Sequence, residues 1–430
     1  MSGPSRVNIV LLGLGTVGSG VARSLHEKAD SFEHRVGFPL VLRKVLVRDR
    51  NRRRAFNVDP ALLTTDPEEA LNVGADIVVE VMGGEQPAYD YMQRSLKAGH
   101  YVVTANKEVM AKHGPALLAA AAEAGTDILY EASVGGGIPI ISPLKRDLSA
   151  NDITSLRAII NGTTNYILTR MGSEEISFDV ALRQAQDLGY AEADPTNDVE
   201  GYDAVYKLAI LASLAFHTHV RPEDIYREGI TLLNARDFRY AAELGYAIKL
   251  LAIARRDKES ISARVHPALV PDQELLARVD GVLNAVQVEG DLTGRVLFQG
   301  AGAGSLPTTS AVMGDVLDAA RSITQGGRPF SWRYTSDMSV KPMSDLLSRY
   351  YIRVEVADQP GVLAGIAHSF GDNGVSIASV IQKETDEAAQ SAELVIVTHV
   401  AREASVQASL AQIERLDNVK QVANLIRVED

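Results

Sequence analysis

No cysteine occurs among the 430 residues. Disulfides, thiolate metal sites and thiol nucleophiles are therefore excluded. No run reaches the roughly 18–20 uninterrupted apolar residues that a membrane helix needs, and MSGPSRVNIV carries no apolar signal region before the first expected strand. A cytoplasmic location without a membrane partner is the expectation. Positive charge is also short: 43 Lys and Arg against 55 Asp and Glu leave a net charge of −12. That sign opposes binding to the phosphates of nucleic acids or membranes. Against this background the cluster Arg48, Arg50, Arg52, Arg53 and Arg54 needs a local cause. What the chain does have is apolar content, 46%, enough for two or three domains with cores of their own.

From residue 7 to about 141, short β-branched runs alternate with alanine-rich helical stretches, the pattern of a parallel sheet covered by helices. Strands are expected at 7–12, 41–47, 77–81, 101–104 and 128–131, with helices such as 17–26 and 114–124 between them. Continuous apolar runs such as IVVEVM indicate burial on both faces. Around Pro143 the pattern changes to α+β: a helix at LKRDL, a strand near 153–160, helices at 178–188 and 199–216, and a β-rich stretch at 282–298 that runs into the glycine segment 300–304. A helix at about 310–321 is expected to rejoin the first domain, and 322–344 reads as a linker. Beyond it, segments 349–356, 361–371, 375–381, 392–400, 404–415 and 419–428 follow the order βαββαβ, a ferredoxin-like unit complete in itself.

Gly13-Leu14-Gly15-Thr16-Val17-Gly18 follows the first strand and opens a helix. Glycines there permit the tight turn and close backbone approach that seat a pyrophosphate over a helix N-terminus. Alone the pattern is weak and competes with a plain glycine turn; its place between strand and helix favours the dinucleotide. After the second strand stands Arg48, followed by Asp49. An arginine at that place pairs with the 2′-phosphate of NADP, so NADP is expected ahead of NAD, the bland alternative being a solvated arginine loop. The third and fourth strands end in Val81-Met82-Gly83-Gly84 and Thr104-Ala105-Asn106-Lys107-Glu108, at the carboxyl edge where open α/β sheets bind ligands. Lys107 there either meets a substrate oxygen or opens a solvent-facing helix. Farther on come the polar turn from Asn161 to Tyr166 and the acidic run 189–198, then Asp203 and Lys207 spaced four apart. That pair is either an ordinary helix ion pair or an ammonium kept for a task beside the apolar Leu208-Ala209-Ile210-Leu211. His217 and His219 lack a third ligand at suitable spacing and read as a helix end.

In this order, GLGTVGSG, VMGG, TANKE, EASVGGGIPI, INGTTNYI, GYAEADPTNDVEGYDAVYK and GAGAG resemble the homoserine dehydrogenases over about residues 7–321, while DQPGVL at 358–363 and DNGV at 372–375 look like an ACT domain. The resemblance implies an α/β architecture. A Rossmann-type dinucleotide-binding domain at 1–142 is completed by about 305–325; an α+β substrate-binding and dimerisation domain at 143–304 and the linker 322–344 lead to a ferredoxin-like ACT regulatory domain at 345–430. The implied reaction is the interconversion of L-aspartate 4-semialdehyde and L-homoserine with NAD(P)H, in the biosynthesis of threonine, methionine and isoleucine. Carried over residue by residue, Lys207 donates the proton to the aldehyde oxygen and Lys107 lies between nicotinamide and substrate. Glu192 and Asp203 hold the substrate ammonium. Gly189 and Gly304 approach the cofactor together with Gly13, Gly15, Thr16, Val17, Gly18, Arg48 and Gly83. Glu131, Val134, Gly136 and Ile138 match a loop that holds a monovalent cation, sodium, largely through backbone oxygens. An amino-acid effector, threonine, is implied at the ACT domain, as is a homodimer or higher homo-oligomer. The missing thiol argues against semialdehyde dehydrogenases that work through a cysteine thiolate. Three other readings stand beside this one: a non-catalytic dinucleotide and amino-acid sensor, a dehydrogenase of another amino-acid-derived alcohol, and an ACT unit that only dimerises.

Overall fold

Alternate residues of the first strand, Val7–Leu12, enter different layers: Val7, Ile9 and Leu11 are buried with Val312 and Val316, while Val10 and Leu12 are buried with Ala70 and Leu71. A strand covered on both faces belongs to a parallel sheet with helices on either side. The computed structural model, which describes residues 6–325, 332, 334–386 and 390–429, contains that sheet. Its strands run Leu63–Thr64, Leu40–Leu46, Val7–Leu12, Ile77–Glu80, Tyr101–Thr104 and Ile128–Leu129, all pairs being parallel. In chain order this is 3-2-1-4-5-6, the doubly wound dinucleotide-binding arrangement. The helix Ser305–Gln325 returns to this core through Val312, Met313, Val316, Ala319 and Ala320.

The chain forms two compact units, one of Met1–Leu156, Tyr206–Glu223 and Asn284–Met338, the other of Arg157–Val205, Asp224–Leu283 and Ser339–Asp430. In the second, a long antiparallel hairpin, Tyr246–Asp257 with Ser260–Pro271, has no counterpart among the expected elements. Its turn carries no glycine; Lys258 takes the left-handed conformation at φ 52° instead, so the usual Asn-Gly or Asp-Gly turn signal is missing. The C-terminal βαββαβ unit is present with its own core, including Ile352, Val354, Ile366, Phe370, Ile396 and Val406. Its sheet does not stop at its border. The last strand, Val419–Val428, pairs with the first, Leu347–Ala357, on one side, and through Arg427 and Val428 with Ala268 and Leu269 of the hairpin on the other.

Two further expectations change. The helix expected at 199–216 is broken into Thr196–Val199 and Tyr202–Ala215, with Gly201 at φ 82° between them. Much of the expected linker is held in place. Trp332 stacks on His217 at 5.5 Å between ring centroids and Tyr334 contacts the His219 ring, while Ser339 and Val340 pair with Ser260 and Ile261 of the hairpin. Two large aromatic side chains make this stretch worth burying; residues 326–331 and 333 lie outside the described residues. No group of acidic or histidine side chains suited to a metal ion occurs among the described residues, and the two histidines of FHTH serve packing. No described helix is long and apolar enough to cross a membrane.

Candidate active site

In the first unit, the turn after Val7–Leu12 is closed by backbone contacts that only glycine permits. Gly13 stands at φ 100°, and a Cβ there would lie 2.9 Å from Val81 O; a Cβ on Gly18 would lie 2.2 Å from Gly13 O. Gly15 faces open space. Among the described residues no side chain caps the helix Thr16–Glu27 that follows, so its first N–H groups are left for an anionic ligand. A cleft of about 360 Å³ opens here, lined by Gly13, Gly15, Arg48, Asp49, Arg52 and Met82 among others. Arg48 and Arg52 are exposed within it, while Arg54 donates to the Asp49 and Arg52 carbonyls and braces the loop. Val17 packs against the core under the turn. Ser305 Oγ donates to Thr16 O at 3.4 Å, which sets Gly304 beside the same turn.

The carboxyl edge is braced by one buried acid. Glu80 accepts from the Thr104 hydroxyl at 2.6 Å and from Met82 N at 2.8 Å, and burial pushes its carboxyl above the usual range. Asn106 N in turn donates to Thr104 Oγ1 at 3.0 Å. The Asn106 side chain donates to Gly84 O at 2.7 Å and accepts from Val109 N at 3.2 Å, capping the helix Lys107–Ala124. The cap starts that helix well before the expected 114 and fixes Lys107 at its first position, beside the Gly83–Gly84 turn. Farther along the same helix, Lys112 pairs with Glu85 and Glu108, each at 2.7 Å, and its ammonium lies 5.6 Å from the Tyr206 ring. Tyr206 immediately precedes Lys207, so the early turns of the two lysine-bearing helices run side by side. The stretch Tyr206–Glu223 belongs to the first unit, and one body therefore carries both Lys107 and Lys207.

In the second unit, Asn161 caps the helix Gly162–Glu174 by accepting from Thr164 N at 2.8 Å. Its Nδ2 donates to Asp198 Oδ1 at 2.7 Å and to Asp203 Oδ2 at 2.8 Å, tying two carboxylates to one amide. Asp203 is buried and Glu192 is exposed; it is Asp198, not Glu192, that shares Asn161 with Asp203. Neither Asn161 nor Asp198 was singled out from the sequence, although both lie in the polar motifs that were. Gly189 is left-handed at φ 75°, and Gln186 Nε2 donates to Glu192 O at 3.1 Å just beyond it.

The loop after Ile128–Leu129 is tightly organised. The Glu131 carboxylate accepts from the N–H groups of Ile140, Ile141 and Ser142 at 2.6, 2.8 and 2.7 Å, and Glu131 N donates to Asp315 at 2.8 Å. The Glu131 main-chain oxygen accepts from Val134 N at 3.5 Å, closing the turn. Val134 and Ile138 are buried, and Gly136, at φ 54°, is pressed on Gly302, where a Cβ would lie 2.4 Å from the carbonyl oxygen. Asn284, whose amide oxygen and nitrogen are both buried with no hydrogen-bond partner in the described structure, packs on the other side of Gly302.

A glycine turn under an open phosphate cleft and a lysine at the sheet's carboxyl edge define a nicotinamide-dependent oxidoreductase. The comparisons agree. Models of the homoserine dehydrogenase NAD-binding domain, the homoserine dehydrogenase catalytic region and the ACT domain match residues 13–131, 139–317 and 350–418. Homoserine dehydrogenases of Mycobacterium tuberculosis and Bacillus subtilis are 45% and 40% identical, each alignment spanning 98% of both chains. The crystal structure of a homoserine dehydrogenase from Thiobacillus denitrificans superposes with a TM-score of 0.92 at 42% identity over 100% of both chains. A hyperthermophilic archaeal homoserine dehydrogenase in complex with NADPH matches 73% of this chain and 97% of its own, with a TM-score of 0.62 at 29% identity. The chain belongs to the homoserine dehydrogenase family, the NAD(P)-dependent oxidoreductases of that name, and carries a C-terminal ACT domain.

Proposed function

We propose that the site interconverts L-aspartate 4-semialdehyde and L-homoserine with NADP, Lys207 moving the proton at the substrate oxygen. The observation that carries this reading is the pair Asp198 and Asp203, gathered on the Asn161 amide with Lys207 one turn beyond Asp203 on the same helix. A carboxylate pair suits the α-ammonium of the substrate. The bound nicotinamide supplies the hydride to the carbonyl carbon. Negative charge then grows on the oxygen, where the Lys207 ammonium stabilises it and delivers the proton that completes the alcohol. To Lys107, fixed by the Asn106 cap, we assign the polarising of the carbonyl, and to Asp203 and Glu192 the substrate ammonium. Gly13, Gly15, Thr16, Val17 and Gly18 would hold the cofactor, Gly83, Gly189 and Gly304 would leave room for it, and Arg48 would pair with a 2′-phosphate, which favours NADP over NAD. The main-chain oxygens of Glu131, Val134, Gly136 and Ile138 would hold sodium, which would brace that loop. Threonine is the effector we assign to the ACT domain.

The reading is tested by following nicotinamide absorbance with L-homoserine and NADP, with and without threonine. The Lys207→Ala variant should lose on the order of 10²–10⁴ in kcat while binding NADP normally, and threonine should inhibit the unaltered enzyme. Near-normal turnover of the variant would remove Lys207 from the proton transfer, and indifference to threonine would remove it as effector.

A further inference from the structure

The break between the helices Thr196–Val199 and Tyr202–Ala215 is flanked by Asp198 and Asp203, and one arginine from a distant segment holds it. Arg227 lies in the short strand Tyr226–Arg227, which pairs with Arg264 and Val265 of the hairpin. Its guanidinium sits 3.7 Å from the centroid of the Tyr202 ring, its Nη1 donates to Glu200 O, and the same nitrogen stands 3.6 Å from the Glu200 carboxylate. Backbone contacts close the junction around it. Ile230 N donates to Val199 O at 2.9 Å, and a Cβ on Gly229 would lie 2.6 Å from that carbonyl oxygen. The neighbouring Glu228 is fixed as well. It accepts from the Tyr226 hydroxyl and, at 2.8 Å, from Arg427 Nη1, while the other Arg427 donors engage Glu403 at 2.8 and 2.6 Å. Arg427 and Glu403 both belong to the ACT domain.

We propose that Arg227 is a positioning residue for the substrate-binding carboxylates. By clamping residues 199–202 it sets the spacing at which Asp198 and Asp203 both reach Asn161, and Arg427 steadies the clamp through Glu228. The proposal rests on the reading of Asp203 as a substrate ligand. Lysine cannot replace the arginine, because the clamp uses a planar group that stacks on Tyr202 while donating in its own plane. Reactive geometry is sensitive to displacements of about 1 Å, so loosening the break should appear first in substrate binding.

The test is steady-state kinetics of the full-length enzyme, varying L-homoserine and NADP separately, with thermal melting of each variant. Arg227→Lys should raise the KM for L-homoserine on the order of tenfold and leave the KM for NADP unchanged. Glu228→Gln should shift the same parameter in the same direction by less. Asp203→Asn serves as reference. If it raises the L-homoserine KM while Arg227→Lys and Glu228→Gln do not, the positioning role is wrong. Variants that only lower Tm, or lower kcat with both KM values kept, show a merely structural arginine and also overturn it. If Asp203→Asn leaves the L-homoserine KM untouched, the substrate reading of that carboxylate fails first and the proposal falls with it.

Discussion

In the first unit the carboxyls of Glu80, Asp127 and Asp315 accept hydrogen bonds from a threonine hydroxyl and main-chain N–H groups, and burial holds all three above the usual carboxylate range. In the second, the buried Glu393 and Glu403 accept from Arg353 and Arg427, and those partners keep both carboxyls below their ordinary range against the opposing effect of burial. Arg353 also binds Asp237 at 2.7 Å across 116 residues of sequence. The difference shows two uses of buried acid. In the first unit these carboxyls are hydrogen-bonded by a hydroxyl or the main chain and brace the backbone, Lys145 opposing the effect of burial at Asp127 and Asp315 without a direct ion pair. In the second unit, ion pairs between remote segments specify which strand meets which helix, a contribution to orientation more than to net stability.

The contrast breaks most directly at Arg353. Arg353→Ala would leave Asp237 and Glu393 buried without that counter-ion, at a cost of about 3–5 kcal/mol, seen as earlier urea unfolding and faster hydrogen exchange in the second unit. A loss below about 1 kcal/mol would mean that the arginines do not organise it. Acid gives a smaller effect that differs between units. His266 is held well below its ordinary 6.5 by burial and by Arg427 and Arg264, so the stability it contributes is present above pH 6.5 and lost as pH falls through its depressed value. His100 in the first unit is depressed by burial in the same sense, so the contrast is read at lower pH. Below pH 4.5 the depressed Glu393 and Glu403 lose their contribution. The raised carboxyls behave inversely: their contribution is complete below the ordinary range and disappears as pH rises through their raised values. Hydrogen exchange at pH 4 against pH 7, corrected for intrinsic rates, should therefore show the second unit losing more protection; equal losses would contradict the comparison. The smallest effect is expected from Glu80→Gln, which keeps the shape and hydrogen-bonding capacity of a protonated acid and should change stability by less than about 1 kcal/mol. A larger drop in Tm would show that Glu80 is ionised in the fold.

Much of the fold was legible along the chain because its signals are local. Buried β-branched runs separated by amphipathic helices specify a covered parallel sheet, and the glycines at 13, 15 and 18 announce the turn after its first strand. The βαββαβ order of the last 80 or so residues was equally plain from periodicity. The hairpin Tyr246–Pro271 was not, since much of it is buried on both faces with Lys249, Arg264 and His266 inside, and its turn uses lysine in place of glycine. The break at Gly201 was hidden because it interrupts the helix for only two residues, and it is held by Arg227 and Gly229, contacts made from about thirty residues away.

Of the candidate site, the lysines and Asp203 could be named from motif and resemblance, whereas Asp198, Asn161 and Arg227 came forward only with the coordinates. The amino-acid order alone settled which stretches become strand, turn or helix, because hydrophobic period, glycine conformation and capping act over a few neighbours. Which amide joins which carboxylates, and which buried acids are pushed above or held below the ordinary carboxylate range, was decided by the tertiary structure. Those outcomes depend on desolvation and on partners tens to hundreds of residues away, and neither exists until the chain has folded.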